Sequence, residues 1–179
     1  MTSEQTPSVS ASDFSASEGG YAAFITDALM RETDLGCVNL GGSILRNDLD
    51  NLLRASLRND ERNVQSVINP LFEEYGPLTT FFARIQLAFA MKLISKSVQL
   101  RLLMVRKLQS DCSLEMGPTD LDDPRCHHPL NVLNWLGEDT EENATPADGL
   151  AAGEIEPFAN RIAFATAVAR LSVTIRSSS

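Results

Sequence analysis

Apolar residues recur along most of this chain at steps of three, four and seven, the spacing of helices that each bury one face. Phe24, Ile25, Ala28 and Leu29 predict a short helix over 21–32. Val38, Leu45, Leu49, Leu52, Leu53 and Leu57 predict a second from 37 to 57, with Arg46, Asn47, Asp50, Arg54 and Arg58 on its other face. Inside it, Gly41-Gly42 either marks close helix packing or delays the helix start. Arg58-Asn59-Asp60 reads as a turn. A third helix is expected over about 61–74 on Val64, Val67, Ile68, Leu71 and Phe72. Pro70 should kink it or split it, because proline removes an amide donor and crowds the preceding turn.

Tyr75-Gly76-Pro77-Leu78 is expected to form a rigid structural joint rather than a ligand cradle. Gly76 would end one helix in a left-handed conformation and Pro77 would fix the start of the next, while Leu78 and Phe81 pin that start to the core. The fourth helix, 78–93, carries Phe81, Phe82, Ile85, Leu87, Ala88, Phe89 and Met91 so densely that it should be nearly surrounded and central. Ser95 or Ser97 can cap a fifth, 98–108, with Leu102, Val105 and Leu108 inward. After Gln109, glycine, prolines and Asx residues predict turns up to a short helix at 130–136 that carries Trp135. Residues 138–156 hold seven acidic and no basic residues and read as a solvated acidic loop. A last helix follows over 157–175 on Phe164, Val168, Leu171 and Ile175.

No strand pattern competes. The fold class is therefore all-α, an irregular bundle of about six to seven helices with mostly antiparallel neighbours. Residues 1–19, rich in Ser, Thr and Pro, read as a disordered tail ahead of a single helical domain over 20–177.

The formal charge of −9 disfavours phosphate backbones in general, so direct DNA binding would need a local basic surface. One exists: Arg84, Lys92, Lys96, Arg101, Arg106 and Lys107 span 84–107 with no acidic residue between them. This stripe is either two solvated helix faces or a docking surface for an acidic partner. Cys37, Cys112 and Cys126 are widely spaced and odd in number, which points to a reducing compartment. The first twenty residues lack the basic and apolar runs of a secretory signal. No apolar run approaches the roughly 18 residues of a membrane span, and the expected location is the cytoplasm.

Candidate chemistry is sparse. Asp120, Asp122, Asp123, Cys126, His127 and His128 are all plausible metal ligands, but their spacing matches no zinc signature, and the segment reads better as a turn whose aspartates cap a helix starting near Pro129. No metal and no cofactor is implied. A Cys126 nucleophile would lack a base brought from a distance. Gly41-Gly42 and Gly76-Pro77 lack the lysine of a phosphate-binding loop.

The run Pro70-Leu71-Phe72-Glu73-Glu74-Tyr75-Gly76-Pro77-Leu78, continued by Thr79-Thr80-Phe81-Phe82-Ala83-Arg84-Ile85-Gln86-Leu87-Ala88-Phe89-Ala90 and Leu93-Ile94-Ser95, resembles the mannitol operon repressor family. The likeness extends over about 39–135, including Arg58-Asn59-Asp60 and Asp122-Asp123-Pro124. It implies an all-helical bundle and a role in regulating sugar-alcohol uptake genes without a recognisable DNA-binding motif. Many relatives carry an Arg and a His after the fifth helix that resemble the pair of helical HEPN-type nucleases. Here Val105-Arg106-Lys107-Leu108-Gln109-Ser110-Asp111-Cys112 has no histidine, so a nuclease would lack its base. The expected function is non-catalytic regulation through a protein partner. The alternatives are a DNA-binding repressor using the stripe and a metal-dependent or degenerate nuclease.

Overall fold

The computed structural model describes residues 18–57, 62–114, 117–118, 120–134 and 159–178. Among them are seven helices and no strand: α1 (Glu18–Met30), α2 (Asp34–Ser56), α3 (Arg62–Phe72), α4 (Phe81–Ala90), α5 (Lys96–Cys112), α6 (Pro124–Asn134) and α7 (Ala159–Ser177). The proposed tail at 1–17, the Arg58-Asn59-Asp60 turn, Trp135 and the acidic stretch 138–156 lie outside the described residues. Glu18 and Gly19, assigned to the tail by composition, already belong to α1.

The long helix α2 is the spine. Thr33 caps it by accepting the amide of Gly36 at 3.1 Å, and Leu45, Leu49, Leu52 and Leu53 are fully buried along it. It packs against α7, α5, α4 and α1, while α1 lies along α7 and α6 bridges α5 and α7. Gly41 and Gly42 sit within α2 and mark close packing. A Cβ on Gly41 would fall 2.9 Å from the Phe164 ring of α7, and one on Gly42 would fall 2.1 Å from the Gln109 amide of α5. The chain ends of the α1–α7 pair meet where the Arg176 guanidinium stacks 4.0 Å above the Tyr21 ring.

Four expectations need correction. Pro70 does not split α3, because it stands in the last turn, where only one intrahelical bond is forfeited. The central helix is α2, not α4: α4 is only ten residues long, and Phe82 on its outer side is 44% exposed. The segment 124–128 is helix rather than turn. Helix α6 starts at Pro124, a proline suited to the first helical position, and runs through Pro129. Likewise α5 continues to Cys112, one turn beyond the last strongly periodic leucine.

Asp34 ties three parts of the chain together. Its carboxylate accepts from Arg161 at the start of α7 and from the Leu121 amide at 2.9 Å. Beside it, Asn160 donates to Asp122 at 2.9 Å. Deeper between α2 and α7, the buried Asp48 accepts a short hydrogen bond from Ser172.

Candidate functional site

The joint between α3 and α4 is built from backbone. Gly76 N–H donates to Glu73 at 2.9 Å and Leu78 N–H to Leu71 at 2.8 Å, which folds the chain back over the end of α3. The expected left-handed conformation of Gly76 is not adopted. Glycine is needed for a different reason: a Cβ would fall 2.2 Å from the Pro70 carbonyl oxygen and 2.4 Å from that of Leu71. Leu78 is buried as expected, whereas Tyr75 is almost wholly exposed.

The joint also claims a residue from the basic stripe. Arg84 is only 8% exposed, and its Nε donates to the Leu78 carbonyl at 2.7 Å. Its guanidinium lies 5.5 Å from the Phe72 ring and 3.8 Å from the Asp50 carboxylate. Burial pulls its pKa down, while Asp50 opposes that. Arg84 therefore locks α4 to α2 and α3 and is not a docking residue.

The other stripe residues stay near the surface. Lys92 is exposed at the α4–α5 turn, with φ of 59°. Lys96 lies 5.3 Å over the Phe89 ring and donates to Gln99 at 3.1 Å. Arg101 is half-buried. Lys107 pairs with Asp111 at 2.6 Å. Arg106 is exposed and stacks 5.0 Å over Phe82. Lys96 and Arg106 are about 15 Å apart along the helix, so the stripe is spread out rather than focused on one point.

Arg106 also lines a groove together with a second arginine, Arg46. This groove, of about 510 Å³, lies between α2, the start of α4 and α5, and is lined by Asn39, Arg46, Thr79, Thr80, Phe81, Phe82, Arg106, Gln109, Ser110 and Ser113. Arg46 stands 5.9 Å over the Phe81 ring. Thr80 caps α4, its hydroxyl oxygen accepting from the Ala83 amide at 3.1 Å. Among the described residues, no carboxylate lines the groove. Reading the sequence misses it, because Arg46 looks like one more polar residue on a solvated face. The close approach of Gln109 to Gly42 is the link that brings α5 alongside it.

The Asp120–His128 segment does not assemble a ligand set. Among the described residues, no group of three His, Cys, Asp or Glu side chains converges as a metal site would require. Asp122 binds Asn160, while His127 and His128 are exposed. Asp123 accepts from the Arg125 amide and guanidinium, which hold its carboxyl down at about 2. The Cys126 thiol donates to the Asp120 carbonyl at 3.7 Å. Burial pushes both Cys126 and Cys37 up to about 12 and also raises Cys112. Protonated thiols are poor nucleophiles and poor ligands at neutral pH.

The sequence matches the family described as MtlR, Mannitol repressor, over residues 32–152. The chain belongs to the mannitol repressor family. That assignment agrees with the resemblance carried by the Pro70–Ser95 run, and it is the assignment of a regulatory family. The fold is shared with the X-ray structure of the MtlR-HPr complex from Escherichia coli at a TM-score of 0.65, with 14% identity, 87% of this chain and 98% of that chain covered. No curated protein sequence matches the chain significantly. No helix among the described residues is long and apolar enough to cross a membrane.

Proposed function

We propose that this mannitol repressor family member is a non-catalytic regulator that acts in transcription of sugar-alcohol uptake genes through a protein partner in the cytoplasm. The family match over 32–152 carries this reading. It is supported by the likeness to MtlR in its complex with HPr, which makes HPr from the same organism the first partner to try. The docking surface we assign is the stripe on α5 and the turn before it, Lys92, Lys96, Arg101, Arg106 and Lys107, now without the buried Arg84. The raised thiol pKa values and the dispersed Asp120–His128 side chains favour binding over catalysis.

Two measurements test it together. Calorimetry with purified HPr should give saturable binding, weakened about tenfold by Lys96→Glu with Lys107→Glu, since reversing surface charges slows encounter and changes its salt dependence. Deleting the gene should raise transcripts of sugar-alcohol uptake genes in cells. Unchanged transcripts with no HPr binding would overturn the regulatory reading. Equal affinity in the charge-reversed variant would move the interface off the stripe. Tight binding of upstream DNA by the chain alone, falling steeply with salt, would replace the partner mechanism by a direct one.

A further inference from the structure

The groove between α2 and α5 brings two arginines into one depression. Several arginines elsewhere pair with aspartates: Arg31 with Asp27, Arg54 with Asp50, Arg125 with Asp123 and Arg161 with Asp34. In the groove, Arg46 and Arg106 have no carboxylate among the described lining residues, and each is held over a phenylalanine ring instead. Such stacking orients a planar guanidinium while leaving its N–H edges free to donate. On a protein of charge −9, two such edges in one depression form a local positive field that attracts small anions.

The neutral lining narrows the class of anion. The Thr80 hydroxyl already accepts the Ala83 amide, so its proton is available to donate outward. Thr79, Ser110 and the remaining N–H of the Gln109 amide, which also donates to the Asn39 carbonyl at 3.4 Å, add further donors around the same depression. Two arginine forks and several hydroxyls offer more donors than the two oxygens of a carboxylate can use, and they suit the three free oxygens of a phosphoryl group. A volume of about 510 Å³ exceeds what inorganic phosphate fills and falls within the range of small-molecule sites. The half-exposed face of Phe82 gives an organic body something to rest on. We infer that the α2–α5 groove is a binding site for a small phosphomonoester, with Arg46 and Arg106 clamping its phosphoryl group. This site goes beyond the partner-binding reading and needs no protein partner to be occupied.

Thermal melting of the full chain, without any partner, tests it. The probes are inorganic phosphate, glycerol 3-phosphate and ribose 5-phosphate, with glycerol and sodium chloride at matched ionic strength as controls. At about ten times its dissociation constant a bound probe should raise the melting temperature by about 4 °C. The controls should not. A larger shift for the esters than for phosphate identifies an organic ligand, and equal shifts identify free phosphate, the same clamp serving both. Arg46→Gln with Arg106→Gln should abolish the shift. Should that pair fail to fold, Ser110→Asp introduces a carboxylate from an exposed position and should abolish it equally. No shift with any phosphate probe, or an undiminished shift in a folded variant, would overturn the proposal. HPr binding that survives in Ser110→Asp while the phosphate shift is lost would separate this site from the partner surface, since Ser110 is not part of that surface.

Discussion

Single residues in this fold act through contacts that their type alone does not reveal. Gly76 was legible as an obligatory glycine, yet the reason is the carbonyl oxygen of Pro70 2.2 Å from where a Cβ would stand, not a positive φ. Gly76→Ala should therefore destabilise by at least about 1 kcal/mol, because a backbone oxygen cannot swing aside as a side chain can. Urea denaturation would measure it, and full stability in the variant would refute the steric account. Asp48 carries a different cost. Burial raises its carboxyl above the ordinary 3.8, with Ser172 and Arg176 opposing. A carboxyl raised on folding contributes its stability below the unfolded value and loses it as pH climbs through the folded one. Asp48→Asn should keep the Ser172 bond and remove that loss. The variant should gain on the parent as pH rises above the ordinary 3.8 of the carboxyl, read as a growing difference in urea midpoint. Arg84 shows why a count of charges misled: its partners Asp50 and Leu78 come from another helix and from a loop, so its burial left no mark in the local pattern.

Helices were the most legible level, since five of the seven follow from periodicity and capping residues within a few positions. The errors have physical causes. The aspartates at 120–123 read as caps of a helix starting near Pro129, whereas Pro124, directly after Asp123, is the residue that starts it. Helix α4 looks central because seven apolar residues crowd it, but the Phe82 ring at its surface meets the Arg106 guanidinium and solvent rather than a hydrophobic core. The paired glycines of α2 allow a test at this scale. Alanine gains about 1 kcal/mol of helix propensity over glycine. At Gly41 that gain meets the buried Phe164 ring, and overpacking typically costs about 1–3 kcal/mol. At Gly42 the obstacle is the end of the Gln109 side chain, which can rotate away. Gly41→Ala should therefore destabilise, and Gly42→Ala should be neutral or stabilising. Thermal melts of the two variants would separate them, and the reverse order would mean that α5, not α7, is the helix that cannot yield.

For the molecule as a whole, the fold class could be read from helical periodicity along the chain and the family mainly from residues 70–95, but the groove could not. It depends on Arg46 and Arg106, sixty positions apart, being brought to one depression by the packing of α5 on α2. The side-by-side arrangement of α1 and α7 bears on how the molecule responds to load. The Arg176–Tyr21 stack places the outer ends of this antiparallel pair at one pole, and Asp34 with Arg161 closes the other. A force applied between residues 20 and 177 would open the pair like a zipper, loading one helical turn at a time instead of shearing all of its contacts together. In an optical trap the first rupture should be soft, with low force and long extension. Pulling from residue 34 and residue 177 instead loads the full length of α7 against α2, and should need a distinctly higher force.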